Sequence, residues 1–298
     1  MIKLSCFSYK GGAGRTTLAM NIIPFLATKL NATEKTPLIL VDMDVDSCGI
    51  TYFLHLEDYK DIDQYSVQAL FGSNGVIPHD DGAEDATEHI LFRHLCPVGE
   101  YFGHQSRAIL CLPAEPGASL GLANSYDGND NKIRDFVEQC DEFDCCGILF
   151  DSAVGDQLTA IWSNRVSDKI MCCLRPTEQF REGTSRYFDK FDKSVARNKT
   201  IIVIPNVVPT EALDIEGVDG VYQYPEYAKE KIIECFRDNI ERGDNNYDLS
   251  MLNGSLFGVP KIDRFMWRES VLSVAKSITE NERKALECYK EIVEVICR

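Results

Sequence analysis

The segment Ser8-Tyr9-Lys10-Gly11-Gly12-Ala13-Gly14-Arg15-Thr16-Thr17 joins an apolar run at residues 2–8 to a helical pattern at 16–30 that carries Leu18, Ile22, Ile23 and Leu26. Strand, glycine turn and helix follow one another without a gap. Glycines open positive φ and bring no Cβ, so backbone N–H groups can curl around an anion. The helix N-terminus adds its partial positive charge. Gly11, Gly12, Ala13, Gly14, Arg15, Thr16 and Thr17 are therefore candidate phosphate-binding residues, and the Thr16 hydroxyl is placed to ligate Mg²⁺. The common pattern G-x-x-x-x-G-K-[ST] is broken twice, by Tyr9 in place of the first Gly and by Arg15 in place of the Lys. Arg15 offers a planar fork where Lys would offer a point charge.

Outward from this loop, short apolar runs alternate with helical patterns, which predicts βαβ units around a parallel sheet. Strands are expected at 2–8, 37–41, 108–112, 147–150, 169–174 and 200–204, with a last one near 256–259. Several are continuous apolar runs, as in strands buried on both faces. Helices are expected at 16–30, 133–140, 157–166, 177–195 and 227–240. A final helix opens on the capping box Thr279-x-x-Glu282 and carries Ala285, Leu286, Tyr289, Ile292, Val293 and Ile296 at core spacing. The fold class is α/β, a doubly wound, mostly parallel sheet with helices on both faces, in a single domain spanning 1–298. Two long stretches near 56–105 and 209–255 interrupt the alternation as insertions. The first holds the acidic cluster Asp80, Asp81, Glu84, Asp85 and Glu88. They are candidate partner surfaces or solvated excursions.

Two strands end in acids. Leu38-Ile39-Leu40-Val41 runs into Asp42-Met43-Asp44-Val45-Asp46, and Gly147-Ile148-Leu149-Phe150 runs into Asp151, with Gly155 following. Acids at the C-terminal ends of buried parallel strands stand at the sheet edge where doubly wound folds bind ligands. Asp151 suits a carboxylate that holds Mg²⁺ through water. An Asp capping the next helix is the plain alternative. Asn206, in Ile204-Pro205-Asn206-Val207-Val208, either meets a ligand or forms a turn.

Lys10-Gly11-Gly12-x-Gly14-x-Thr16-Thr17 resembles the deviant Walker A loop of the ParA/MinD ATPases, and the strand ending in D-x-D resembles their Walker A′ segment. Pro176-Thr177-Glu178-Gln179-Phe180-Arg181-Glu182-Gly183 and Gly258-Val259-Pro260 fall in the family's order, so the resemblance runs from Met1 to about Val274. It implies a P-loop NTPase fold, ATP or ADP with Mg²⁺, and a nucleotide-dependent homodimer in which Lys10 reaches the neighbour's phosphates. It further implies that Asp42 lies near the Mg²⁺ shell with Thr16 and Asp151, that Asp44 orients the attacking water, and that Asn206 reads the adenine edge. Lys10 and Asp44 are then the catalytic candidates. The implied function is an ATP-driven molecular switch of slow turnover that positions or partitions a cargo or regulates a protein partner. Arg15 motivates an alternative, a non-hydrolysing scaffold whose ATP-locked dimer is an interaction platform.

Composition narrows the classes. The 31 Lys and Arg against 47 Asp and Glu leave a net charge of −16, which repels phosphate backbones and predicts weak or absent duplex DNA binding. No apolar run reaches the ~20 residues that span a bilayer, and the N-terminus lacks a signal-peptide pattern, so the expected location is cytoplasmic. The 12 cysteines contain no C-x-x-C and suit a reduced core. The five histidines show no metal-binding spacing.

Overall fold

The computed structural model describes all residues except 80–81, 121–129, 195–197, 210–213, 218–219, 254–256, 267 and 269. In chain order its regular elements are β1 (Ile2–Ser8), α1 (Arg15–Lys29), β2 (Leu38–Asp42), α2 (Gly49–Phe53), α3 (Val67–Phe71), α4 (Ile90–His94), β3 (Cys96–Pro97), β4 (Ile109–Leu112), α5 (Asp130–Glu142), β5 (Gly147–Val154), α6 (Leu158–Val166), β6 (Lys169–Leu174), α7 (Glu178–Ser194), β7 (Thr200–Val208), β8 (Asp214–Gly217), β9 (Gly220–Gln223), α8 (Tyr224–Arg242), β10 (Asn246–Asp248), β11 (Val259–Pro260) and α9 (Glu280–Ile296). A nine-stranded sheet runs β10-β7-β6-β1-β5-β2-β4-β3, with β11 paired to β7. Every described pairing in it is parallel except β3 with β4. This is the mostly parallel, doubly wound α/β sheet that the alternation of apolar runs predicts.

The period of two along each strand sorts side chains into two layers. Leu4, Cys6, Leu38, Leu40, Leu149, Met171, Ile202 and Ile204 join one buried cluster with α1 and α9. Ile39, Val41, Ile148 and Phe150 face α3, α4 and α5 on the other side. Ile170, Cys172, Ile201 and Val203 face α7 and α8 there. Strands clad on both faces have no solvated side, which is why their sequences are continuously apolar.

The expected strand bounds hold at β1 and β6, while β5 and β7 extend to Val154 and Val208. Of the last expected strand, 256 lies outside the described residues and β11 covers Val259–Pro260. The stretch 56–105 contributes Val67, Leu70, Phe71, Leu91 and Phe92 to a core cluster. Buried His89 caps α4 through Leu91 N and packs against Phe92 and Phe143. Asp80 and Asp81 lie outside the described residues. The stretch 209–255 holds the β8–β9 hairpin, α8 and β10, and β10 adds an edge strand beside β7. All twelve cysteines are free thiols, most of them buried.

The capping box on α9 forms as the sequence predicts, with Thr279 Oγ1 accepting from Glu282 N. Glu282 is buried and its carboxylate also meets Arg264 Nε at 2.8 Å. Thr279→Ala therefore lowers stability by about 1 kcal/mol, and Glu282→Ala lowers it further because it removes the ion pair with Arg264 as well as the cap. Thermal melts of the two variants check the order; equal melting temperatures would contradict it.

Candidate functional site

The glycine turn leaves β1 at Ser8, whose carbonyl accepts from Gly155 N at 3.1 Å. Gly12 and Gly14 sit at φ +80° and +78°, and Gly14 is the N-cap of α1. The turn is tied down from the ends of β6 and β7. Asn206 Nδ2 donates to Ala13 O at 2.7 Å and Gly14 O at 3.2 Å, and Cys173 Sγ donates to Ala13 O at 3.1 Å. In a trans peptide the N–H points opposite to the C=O, so these bonds turn the Gly14 and Arg15 amides away from the strand ends. A Cβ on Gly14 would lie 2.7 Å from Asn206 Nδ2, whereas Gly11 and Gly12 border open space. The turn thus presents amides and a helix N-terminus to room that an anion could fill.

Three carboxylates gather beside it. Asp42 and Asp151 are register partners on neighbouring strands. Asp151 Oδ2 accepts from Thr16 Oγ1 at 2.6 Å. Asp42 Oδ2 accepts from Thr51 N at 2.9 Å and Thr51 Oγ1 at 2.8 Å, which turns that oxygen toward α2. Asp44 Oδ2 accepts from Arg15 Nη2 at 2.8 Å, and both side chains are only 8% exposed. Burial, then the neighbouring Asp151, pushes the Asp42 carboxyl up to about 7. Burial pushes Asp151 up to about 6, against the opposing pull of Arg15 and of the Thr16 hydrogen bond. The segment after Asp44 folds back over Thr16: Ser47 N and Cys48 N both donate to Asp44 O, and a Cβ on Gly49 would meet Thr16 Oγ1 at 2.8 Å.

Arg15 Nη1, Asp42 Oδ1 and Asp151 Oδ1 are buried with no hydrogen-bond partner. Orphaned polar atoms of both signs at one site are costly unless a ligand meets them. An anion suits Nη1 and a cation suits the two carboxylate oxygens, so the residues present fit a phosphate with a divalent ion. Among the described residues no group of three or more His, Cys, Asp or Glu side chains forms a metal cage.

A cavity of about 460 Å³ opens next to the turn, lined by Gly12, Thr17, Asn206, Phe265 and Tyr289 among others. It is mainly apolar and of a size for a planar base. Nearby, Asn21 ties α1 to the 270–272 segment: Nδ2 donates to Thr17 O and Ser270 O, and Oδ1 accepts from Leu272 N. Lys10 stands apart from the acids. Its Nζ donates to Gln179 Oε1 at 3.1 Å on the exposed side of α7. The Tyr9 ring lies against Gly183 of the same helix, where a Cβ would come within 2.2 Å of it.

The structure thus brings Gly11, Gly12, Ala13, Gly14, Arg15, Thr16, Thr17, Asp42, Asp44, Asp151 and Asn206 to one sheet edge, and leaves Lys10 on its rim. Sequence reading missed the Arg15–Asp44 pair, the loop-holding bond of Cys173, the tie from Asn21 to the 270–272 segment, and the close approach of Gly49. A glycine shortly after D-x-D, Gly49, is the visible signal of that close approach.

Comparison with protein-family models and with curated protein sequences yields no match. Solved structures do match over essentially the whole chain. MinD in the MinC:MinD cell division complex of Aquifex aeolicus aligns at TM-score 0.59 and 16% identity, covering 100% of this chain and 96% of that one. Apo McdA of Cyanothece aligns at 0.58 and 15%, covering 100% of both. MinD of Pyrococcus horikoshii OT3 complexed with Mg-ADP aligns at 0.53 and 15%, covering 99% and 96%. The chain has the P-loop fold of these ATPases, and at such identities the likeness is one of fold.

Because the folded carboxyls of Asp42 and Asp151 hold protons more tightly than in the unfolded chain, their contribution to stability is fully present at low pH. It is lost as pH rises through about 6 to 7. Asp42→Asn removes one ionisation while keeping an acceptor for Thr51. Its stability relative to wild type therefore rises from about pH 4 to about pH 7 and levels off above. Denaturant titrations across that range check this; a constant difference would contradict it.

Proposed function

We propose that the chain is an ATP-binding molecular switch. ATP or ADP with Mg²⁺ is its ligand, and two copies enclose the nucleotides in the triphosphate state. The observation that carries this reading is the tied-down glycine turn facing orphaned polar atoms of both signs, Arg15 Nη1 against Asp42 Oδ1 and Asp151 Oδ1. The shared fold with MinD, solved with Mg-ADP and with MinC, supports it.

In this reading the backbone amides from Gly11 to Thr17 hold the phosphates, helped by the α1 N-terminus. Thr16 would hold the ion directly, with Asp151 and Asp42 behind it. When bound, Mg²⁺ supplies charge neutralisation on the phosphate oxygens. Asp44 orients the attacking water, and Asn206 sits at the mouth of the base cavity. Lys10 leaves Gln179 to reach the phosphates of the second copy. Catalysis is then positioning and electrostatics, as in other phosphoryl transfers. Occupancy of the γ-phosphate biases which partner surface is presented.

The task that follows is positioning or partitioning a cargo, or switching a protein partner, by one domain spanning 1–298. No helix among the described residues is long and apolar enough to cross a membrane, which is compatible with a cytoplasmic site of action. The net charge of −16 supports weak direct contact with duplex DNA.

The Arg15–Asp44 pair favours one alternative: with the water-orienting acid already engaged, the nucleotide would lock a dimer without efficient turnover. Steady-state ATP hydrolysis and solution mass with Mg²⁺ separate the two. As a switch, wild type dimerises with ATP and turns over slowly, Asp44→Ala loses at least about tenfold in turnover, and Lys10→Ala stays monomeric. As a scaffold, wild type dimerises without turnover and Arg15→Lys gains it. Neither ATP binding nor a change of mass would sink both.

A further inference from the structure

Arg15 uses one arm of its guanidinium and leaves the other without a partner. Nη2 donates to Asp44 Oδ2 at 2.8 Å, and both side chains are more than nine-tenths buried. Nη1 is buried and makes no hydrogen bond. Arg15 is also the first residue of α1, directly after Gly14, whose carbonyl Asn206 ties down. Its side chain therefore leaves the chain where the loop amides turn toward an anion.

Two events are conceivable when a phosphate arrives. Arg15 could exchange Asp44 for the phosphate, or it could keep Asp44 and use Nη1. Exchange breaks a buried ion pair and strands a buried carboxylate, which is strongly destabilising. Keeping the pair and filling Nη1 breaks nothing and satisfies a donor that already lacks a partner. A planar fork presents donors to two acceptors at fixed angles; an ammonium is one compact charge with no such division.

Resting on the nucleotide site proposed above, we infer that Arg15 is a two-anion clamp: Nη2 keeps Asp44 while Nη1 donates to a phosphate oxygen of the bound nucleotide. Arg15 then both contacts the ligand and positions Asp44 beside it. This gives a physical reason for arginine where phosphate loops ordinarily carry lysine. Lysine here would be drawn to Asp44 or to the phosphate, and binding would require it to let the carboxylate go.

A double-mutant cycle on nucleotide affinity tests the clamp without reference to turnover. Wild type, Arg15→Lys, Asp44→Asn and the double variant are titrated into a fluorescent N-methylanthraniloyl-ADP with Mg²⁺ and followed by anisotropy. The clamp predicts that Asp44→Asn changes affinity by less than about threefold with Arg15 present, because Nη2 never leaves position 44. In the Arg15→Lys background the same change tightens binding about tenfold, because lysine no longer has to abandon a carboxylate. A similar gain in both backgrounds would mean exchange or simple charge removal, and the clamp would be wrong while the nucleotide site stands. No binding by any of the four proteins would overturn the site reading and the clamp with it.

If a variant fails to fold, the wild type answers alone. Side-chain resonances of ¹⁵N-labelled arginine should keep the Arg15 Nη2 signal in place when Mg-ADP is added while the Nη1 signal moves. Movement of Nη2, or of neither, would contradict the clamp.

Discussion

Burying a charge is costly unless it is paired, and this chain buries Asp42, Asp44 and Asp151 at one edge of a sheet. Most of the site's geometry answers that constraint. Arg15 neutralises Asp44, the Thr16 hydroxyl serves Asp151, and Thr51 serves Asp42 with two donors. Each of these partners lies within or beside a segment that a ligand would touch. Thr16 and Arg15 open α1, and Thr51 lies in the short helix that closes the excursion after Asp44. The acids therefore fix the positions of two separate segments, the start of α1 and the short helix with Thr51, and the loop cannot shift without exposing or stranding a carboxylate. What remains unmet, one nitrogen and two oxygens, describes a ligand that carries both signs of charge.

The same sheet edge shows how an acidic chain can still present donors of positive sign locally. Net charge acts at long range and through solvent, whereas the turn offers amides, a helix end and one arginine at short range. Asn206 and Cys173 fix the turn from the ends of two further strands, so five consecutive neighbours in the sheet, β7, β6, β1, β5 and β2, contribute to one small volume. A second layer of support comes from Asn21, which ties the helix after the loop to the 270–272 segment.

Much of this was legible in the sequence, and the reason is local. Strands buried on both faces are mostly apolar, so β2, β4, β5, β6 and β7 announce themselves, and β1 does so despite Lys3 and the buried Ser5 and Ser8. The glycine turn is legible because Gly12 and Gly14 need positive φ, and the capping box because Thr279 and Glu282 satisfy each other three residues apart. The edge strands β3 and β10 were not legible: they are two and three residues long and owe their form to pairing with a longer neighbour. Nor was the Arg15–Asp44 pair, because 29 residues separate its partners and only the β1–α1–β2 crossover brings them together. Lys10 shows the same limit from the other side. Its type and position were plain, but its lean toward Gln179 depends on where α7 docks.

Hydrogen exchange of the wild-type protein with and without Mg-ADP bears most directly on the central claim that this edge is a nucleotide site. The amides of 11–17 and of 206–208 should become slower to exchange when Mg-ADP is added and should lose part of that protection when Mg²⁺ is chelated. Protection elsewhere with these segments unchanged, or no change at millimolar ADP, would contradict the account.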